Sequence, residues 1–409
     1  MKENGFFITS VCVIVAVIAG IIILKNQGKK VAKEESIQKQ ENNIYIESKT
    51  ESTNNLVENN GNITNKQDEE LFSKYYAQAD EILKQMTLEE KVGQMFLVRY
   101  PSSDVNEQII NDNPGGYVLF SKDFQNQSRE SMLKKINTNQ CNSKIKMFMA
   151  VDEEGGIVAR VSGHSAFRNE RFESPQALYS QGGIEKILEE SKEKCKLLKS
   201  IGLNVNLAPV VDVSTNSSSF IYKRTLGKSA EETAEYAEKL INEMNNNGMI
   251  SAMKHFPGYG DNADTHTGVA VDNRSYEVFI EEDFKPFIAG IKAGGPIILV
   301  NHNIVNCMDK NMPASLSKSV HDILREELKY TGLIITDDLA MNAVERYVKN
   351  NEAAVQAVLA GNDMIISSDF TKQKAEVIDA VRNNEISENQ IDTAVRRIIA
   401  CKYYYSIIW

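Results

Sequence analysis

The stretch ILREELKYTGLIITDDLA, residues 323–340, runs from a helical segment through Gly332 into a strand-like run that ends on Asp337 and Asp338. The run itself, GLIITDD, is short and rich in β-branched residues, which is typical of a strand buried on both faces of a parallel sheet. The same sequence of helix, buried strand and polar ending recurs along the chain. This repetition decides the fold.

Eight such runs can be read along the chain, and Lys/Glu-rich helical stretches separate most of them. They are MFLVRY at 95–100, GGYVLF at 115–120, KMFMAVD at 146–152, NVNLAPVVDV at 204–213, ISAMKHF at 250–256, PIILVNHN at 296–303, GLIITDD at 332–338 and DMIISS at 363–368. Alternation of strand and helix indicates a parallel sheet, and eight units in a chain of this length favour a closed barrel over an open sheet. The sequence therefore predicts a single α/β domain with the (β/α)8 TIM-like barrel fold.

Charged or polar residues follow most of these runs directly. In a barrel all strands end on one face, where enzymes of this fold build their active sites, so these side chains are expected to converge on one pocket. Capping of the strand ends is the alternative for any one of them, but it explains the whole set poorly. The residues are Asp152, Asp212, Lys254 with His255, His302, and Asp337 with Asp338.

Composition excludes several classes of function. The chain has 46 basic and 56 acidic residues, a net charge of −10, and no long basic block, so nucleic acid is not an expected partner. Its five cysteines show no spacing typical of a disulfide framework or a zinc site. No cofactor and no metal are predicted, and nothing in the sequence sets an oligomeric state.

The first 68 residues lack the features of a folded domain. Residues 6–24, FFITSVCVIVAVIAGIIIL, are uncharged and close to the roughly 20 residues that span a bilayer, so 1–30 is predicted to be a transmembrane anchor. Residues 31–68 are rich in Asn, Glu, Ser, Thr and Lys and are predicted to be a disordered linker. The barrel is then expected at 69–409, on the extracytoplasmic side of the cell membrane, although the lysines after the anchor favour the opposite orientation.

Three stretches carry candidate chemistry. In KHFPGYGDNADTHTG, residues 254–268, Asp264 stands two residues from His266, and a carboxylate beside an imidazole suits proton transfer near neutral pH. Asp337, on a rigid strand end, is placed to attack a sugar's anomeric carbon, although a metal ligand or a helix cap is an alternative for such an aspartate. In VDEEGGIVAR, residues 151–160, Asp152 and Arg160 could bind vicinal hydroxyls or could pair with each other to hold the loop.

From MTLEEKVGQMF near residue 86 to about Lys402, the sequence resembles glycoside hydrolase family 3, in particular its single-barrel β-N-acetylglucosaminidases. The resemblance rests on VDEEGG, LAPVVDV, KHFPG-x-G-D, MPASLS at 312–317 and, most specifically, ILREELKYTGLIITDDLA. It implies a retaining exo-β-N-acetylglucosaminidase (β-hexosaminidase) that removes terminal N-acetylglucosamine from cell-wall (peptidoglycan-type) or chitin-type saccharides. It also implies a covalent glycosyl-aspartate intermediate.

The resemblance further implies roles for individual residues. Asp337, directly after Thr336, is the expected nucleophile, and Asp264 with His266 is the expected acid/base dyad. The expected sugar contacts are Asp152, Arg160, Arg224, Lys254 and His255. The sequence departs from the family pattern at Tyr259, where a second histidine is usual, and at Thr265, where serine is usual, while IYKRTLG around Arg224 is a loose match.

Two other readings remain open at this point. A phosphorylase of the same family would use phosphate where the hydrolase uses water, because a neutral histidine as acid/base does not repel an anion. A tethered sugar-binding receptor without catalysis would also suit an anchor and linker, although the intact Asp337, Asp264 and His266 disfavour it. A metal-dependent barrel hydrolase is disfavoured because such enzymes commonly carry His-x-His on the first strand, and MFLVRY has no histidine.

Overall fold

The eight apolar runs form the eight strands of one parallel sheet in the computed structural model, which describes residues 70–260, 270–340, 344, 347 and 352–408. Each strand pairs with its neighbours in parallel register, in the order β7-β6-β5-β4-β3-β2-β1-β8. The strands are β1 Phe96–Arg99, β2 Gly116–Leu119, β3 Phe148–Val151, β4 Val205–Asn206, β5 Ile250–Phe256, β6 Ile297–Val300, β7 Leu333–Thr336 and β8 Ile365–Ser367.

Contacts between β7 and the start of β8 close the sheet into a barrel. Ile335 forms a parallel bridge with Met364, and the backbone N–H of Thr336 donates to the Met364 carbonyl at 3.2 Å. The Thr336 hydroxyl accepts from the N–H of Ile366 at 3.1 Å. The predicted (β/α)8 architecture of the globular part is confirmed.

Helices connect the strands and cover the outside of the sheet. Serine or threonine precedes several of them, and its side chain accepts the first free backbone N–H groups of the helix, as at Thr87, Ser128, Ser174 and Ser229. Among the described residues, the α-helices of five or more residues are α1 Tyr76–Leu83, α2 Leu88–Gln94, α3 Val105–Asp112, α4 Arg129–Asn142, α5 Pro175–Ser200, α6 Ala230–Asn246, α7 Phe284–Lys292, α8 Lys318–Asp322, α9 Ala353–Ala360, α10 Phe370–Arg382 and α11 Glu388–Tyr404.

One predicted strand is wrong in its length. The run at 204–213 forms a strand only at Val205–Asn206, and beyond it the backbone keeps a single bridge between Val210 and Lys254. Pro209 explains the interruption, because a proline has no N–H to donate to a neighbouring strand.

Helix α11 covers the amino-terminal end of the barrel. Lys402 on this helix is fully buried; its Nζ donates to Gln94 at 2.7 Å and lies 5.0 Å from the ring centre of Phe148 at the start of β3. Burial lowers the pKa of the Lys402 amine to about 7. This end of the barrel is therefore closed by packed side chains, and the pocket described below opens at the other end.

None of the helices within the described ranges is long and apolar enough to cross a membrane. The predicted anchor at 1–30 and the predicted linker at 31–68 lie outside the described residues.

We expect the carboxylate of Asp363 to be critical for stability. It is buried between β7 and β8 and accepts from Arg325 at 2.6 Å, Arg397 at 3.0 Å and the N–H of Ile334 at 2.9 Å. Asp363→Asn should lower the free energy of unfolding by about 3 kcal/mol, because two partly buried guanidinium groups lose their counter-charge. Urea unfolding followed by circular dichroism measures this, and the exposed Asp379→Asn on α10 is the control. A loss below about 1 kcal/mol, equal to the control, would contradict it.

Candidate active site

A pocket of about 240 Å³ opens at the carboxyl ends of the strands. Each strand that is followed by one of the predicted charged or polar residues has a residue in the pocket lining. The convergence of strand ends in a barrel predicts this arrangement. Its charged and imidazole lining is Arg99, Asp152, Glu154, Arg160, Arg224, Lys254, His255, Asp337 and Asp338. All five predicted sugar contacts and the predicted nucleophile are therefore brought together in one cavity.

The carboxylate of Glu154 joins two of the cations in this pocket. Arg224 donates to it through Nε at 2.9 Å and through its terminal nitrogen at 2.7 Å. Lys254 lies 2.7 Å from the same carboxylate and donates to Asp152 at 2.6 Å. The side chains of Glu154 and Lys254 are each only 3% exposed, so this network is desolvated and its geometry is strongly constrained.

The network also sets the charges of its members. Burial by itself raises the pKa of the Glu154 carboxyl, but the charges of Lys254 and Arg224 outweigh burial and hold this pKa well below its usual range. Burial lowers the pKa of Lys254, yet Asp152 and Glu154 more than compensate and raise it. Glu154 is therefore ionised at neutral pH and faces two cations, Lys254 and Arg224.

A second buried contact fixes the tautomer of His255. Its Nδ1 lies 2.7 Å from Asp212, and its Nε2 lies 3.1 Å from a terminal nitrogen of Arg224. A guanidinium can only donate, so Nε2 accepts from Arg224 and the ring proton lies on Nδ1, where it is donated to Asp212. His255 is thus a neutral imidazole whose orientation is fixed from both sides.

The alternative considered for Asp152 and Arg160, a charge pair that holds the loop, is not observed among the described residues. Asp152 contacts Lys254, whereas Arg160 lines the pocket without an ion pair within the described ranges. Arg160 follows a short antiparallel hairpin, Glu153–Gly155 with Val158–Ala159, that projects from the end of β3. Glu153 stabilises this hairpin by accepting from the N–H groups of Val161 and Ser162.

The two aspartates after β7 have different surroundings. The N–H of Asp337 donates to the carbonyl of Val300 at 3.0 Å, which keeps this residue on the strand end. Asp338 uses both carboxylate oxygens locally, accepting from Ala340 N–H at 3.0 Å and from the Ser368 hydroxyl at 2.7 Å. Asp338 N–H in turn donates to Asp337 at 2.8 Å. These contacts agree with a structural role for Asp338 beside Asp337.

His302, which follows β6, supports this loop from behind. Its Nδ1 lies 2.6 Å from the Ser315 hydroxyl, and its Nε2 lies 3.0 Å from the Asp338 carbonyl. Because a carbonyl can only accept, Nε2 carries the proton. His302 is fully buried, so its contribution is to position the backbone at Asp338.

Tyr259, which departs from the family pattern, packs into the wall behind His255. Its ring centre lies 5.1 Å from that of His255, with the rings nearly perpendicular, and 5.8 Å from that of Phe220. Its N–H donates to Asp212 at 2.8 Å, so one carboxylate orients both the turn and the imidazole. A large aromatic ring at this position is therefore accommodated without displacing His255.

The turn that contains Tyr259 rests on a buried ion pair between Arg274 and Asp283, 2.7 Å apart. A Cβ on Gly258 would come within 2.0 Å of Asp283, and a Cβ on Gly260 within 2.6 Å of Arg274, so only glycine fits at either position. Burial raises the pKa of Asp283 to about 7, although Arg274 opposes this effect. The predicted dyad of Asp264 and His266 follows this turn but lies outside the described residues.

Sequence reasoning missed Glu154 and Arg99 as pocket residues. Glu154 lies two positions after Asp152 in VDEEGG, but only the folded arrangement shows that it binds cations from two distant segments. Arg99 ends β1, and its guanidinium lies 3.9 Å from the ring centre of Phe120. Its charge near the end of the apolar run MFLVRY was an available signal. Among the described residues, no three His, Cys, Asp or Glu side chains are arranged to hold a metal ion.

Comparisons with known proteins give the family of this chain. Residues 87–401 match the family model described as the glycosyl hydrolase family 3 N terminal domain. Beta-hexosaminidase of Nitrosomonas eutropha is 32% identical over 272 residues, which cover 63% of this chain and 75% of the relative. Beta-hexosaminidase A of Pseudoalteromonas piscicida is 28% identical over 327 residues, which cover 73% of this chain and 55% of the relative.

A solved structure is similar as well. The glycoside hydrolase family 3 beta-N-acetylglucosaminidase from Paenibacillus sp. str. FPU-7 superposes with a TM-score of 0.73 at 28% identity, covering 79% of this chain and 63% of that one. The chain thus spans about half of the Pseudoalteromonas relative and under two thirds of the Paenibacillus structure. The predicted family and its β-N-acetylglucosaminidase branch are confirmed, and the chain belongs to glycosyl hydrolase family 3.

Proposed function

We propose that the chain is a retaining exo-β-N-acetylglucosaminidase that hydrolyses terminal N-acetylglucosamine from cell-wall or chitin-type saccharides. One observation carries this proposal. Asp337, directly after β7, lines the same pocket as the charged network of Asp152, Glu154, Arg224 and Lys254. The β-hexosaminidase relatives support the choice of sugar.

In the proposed reaction, Asp337 attacks the anomeric carbon while His266, assisted by Asp264, protonates the departing oxygen. The same imidazole then removes a proton from water, which breaks the glycosyl-aspartate bond and releases the sugar with retained β-configuration. Asp152, Lys254 and Arg224 offer hydrogen bonds to the sugar hydroxyls, His255 contributes to the pocket wall and holds Arg224 through Nε2, and Arg160 adds a further cation.

We further propose that residues 1–30 anchor the protein in the cell membrane, that 31–68 form a flexible linker, and that the barrel is extracytoplasmic. The support is the uncharged apolar stretch at 6–24 and a polar segment that cannot build a core. This location suits an enzyme that acts on cell-wall saccharides.

The nucleophile is tested by substitution. Asp337→Asn should lower kcat on an aryl N-acetylglucosaminide by several orders of magnitude, because an amide cannot form the covalent intermediate. Asp338→Asn is the matched control, since it keeps the same shape and changes only the local hydrogen bonds to Ala340 and Ser368. Retention of more than a few per cent of the wild-type rate in Asp337→Asn, with a normal fold, would remove Asp337 from this role.

The dyad is tested with leaving groups of different quality. His266→Ala should slow the hydrolysis of substrates with poor leaving groups, such as an N-acetylglucosamine disaccharide. The effect should be about 10² to 10⁴-fold larger than for activated aryl glycosides, whose aglycones depart without protonation. Asp264→Ala should behave as a milder version, because it leaves the imidazole in place. Equal slowing of both substrate classes would contradict the acid/base role.

The choice between hydrolysis and phosphorolysis is tested on the wild-type enzyme with millimolar phosphate. Water as acceptor gives free N-acetylglucosamine in the β-configuration, and nuclear magnetic resonance distinguishes it from a sugar 1-phosphate. We expect free sugar to dominate. A dominant sugar 1-phosphate would replace the hydrolase with the phosphorylase of the same family.

The ionic network is tested through Glu154→Gln. The substitution removes the charge that holds Lys254 and Arg224, so both cations should shift and kcat/KM should fall about 100-fold or more. Glu173→Gln, on the exposed surface beside the same hairpin, is the control and should stay within a factor of about two. A kcat/KM for Glu154→Gln equal to that of the control would show that the network does not position the sugar contacts.

A further inference from the structure

The hairpin that follows β3, residues 153–159, is irregular at Glu154. Its register shifts between Glu153 and Gly155, which makes Glu154 the extra residue of a β-bulge. A bulge disrupts the ladder locally and re-aims a side chain. The ladder alone therefore does not hold the peptide at Glu154, and contacts from outside the hairpin contribute to its position.

One such contact comes from Lys194 on α5. Its Nζ donates to the backbone carbonyl of Glu154 at 2.8 Å, while the carboxylate of the same residue binds Arg224 and Lys254 in the pocket. Lys194 itself lines a separate cavity of about 30 Å³ behind Glu154. A Cβ on Gly155 would lie 3.6 Å from Nζ, so the ammonium lies directly against the bulge.

The surroundings of Lys194 give this contact its weight. The side chain is partly buried and forms no ion pair among the described residues, and its Nζ lies 5.3 Å from the ring centre of Phe172. Burial lowers the pKa of the amine, an effect that the charges of Glu153 and Glu190 oppose. An ammonium here loses solvation without a direct carboxylate partner. The hydrogen bond to Glu154 is therefore the contact that explains a lysine at this position.

Other contacts hold the residues on either side of the bulge. Asn206, at the end of β4, donates to the Glu153 carbonyl at 3.1 Å and accepts from the Glu153 N–H at 3.0 Å. The N–H of Gly156 donates to the Phe172 carbonyl at 2.8 Å. These contacts fix the base and the turn of the hairpin. Loss of the Lys194 amine should therefore leave the hairpin folded and release only the bulge at Glu154.

We propose that Lys194 is a positioning residue of the active site, which fixes the bulge at Glu154 and thereby the two cations that Glu154 holds. The inference rests on the proposed glycosidase function, in which Lys254 and Arg224 bind the sugar. The connection is short: the ammonium binds the carbonyl of one residue, and the carboxylate of that residue binds both cations. A side chain on an outer helix thus contributes to the shape of the pocket.

Lys194→Met tests this role, because it keeps an unbranched side chain and removes the donor. We expect kcat/KM on an aryl N-acetylglucosaminide to fall roughly 10- to 100-fold, the range for loss of a hydrogen bond from a charged group. Circular dichroism checks that the variant is folded.

Lys402→Met is the matched control at the opposite end of the barrel. Lys402 also donates to a neutral oxygen, that of Gln94, beside an aromatic ring. Its substitution should change stability but keep kcat/KM within a factor of about two. Equal kcat/KM in Lys194→Met and Lys402→Met would overturn the proposal.

A double-mutant cycle separates positioning from general destabilisation. In the Glu154→Gln background, Lys194→Met should lower kcat/KM further by less than about threefold, because the route from Lys194 to the cations passes through the Glu154 carboxylate. A loss of the same size in both backgrounds would show that Lys194 acts by another route, and it would overturn the proposal as well.

A crystal structure of Lys194→Met gives a readout that needs no substrate. We expect at least one of the two contacts of the Glu154 carboxylate, each 2.7 Å in the wild type, to lengthen beyond about 4 Å. An unchanged network would contradict the role of Lys194 at any level of activity. A wild-type protein that does not hydrolyse the aryl N-acetylglucosaminide would contradict the glycosidase proposal instead, and the crystal structure would still decide whether Lys194 positions Glu154.

Discussion

The site depends on one interaction, the desolvated contact of the Glu154 carboxylate with Lys254 and Arg224. These cations come from the end of β5 and from the loop after β4, and each would repel the other without a carboxylate between them. Because Arg224 also donates to His255, and Asp152 accepts from Lys254, the position of Glu154 sets the positions of four predicted sugar contacts. A buried polar network is rigid when its charges are partnered, and Glu154, Lys254, Arg224 and Asp152 partner one another.

A second set of contacts fixes Asp337, the proposed nucleophile, from a different direction. Asp337 is attached to the rigid strand β7 and to the carbonyl of Val300 on β6, while Asp338 and His302 hold the loop that follows. Among the contacts of the described residues, the proposed sugar contacts and the proposed nucleophile are thus held by two different sets of hydrogen bonds.

Much of this arrangement could be predicted from the sequence, for reasons that can be traced to particular residues. The strand β7 is visible in GLIITDD because buried parallel strands are rich in β-branched residues, and the convergence of Asp152, Lys254, His255 and Asp337 follows from the geometry of any barrel. Two features could not be predicted. The role of Glu154 depends on the distance between side chains remote in sequence, and the shortness of β4 depends on how Pro209 interrupts its ladder. The sequence also left open whether Asp152 pairs with Arg160, since the contact of Asp152 with Lys254 exists only in the folded chain.

The central claim is that Asp337 forms a covalent bond with the sugar, and direct labelling tests it. The wild-type protein is treated with 5-fluoro-N-acetylglucosaminyl fluoride, digested, and sequenced by tandem mass spectrometry. The account predicts one added glycosyl group, carried by Asp337 in the peptide that contains Leu333–Thr336. A label on Asp338, or full turnover of the sugar with no labelled residue under any condition of trapping, would contradict it.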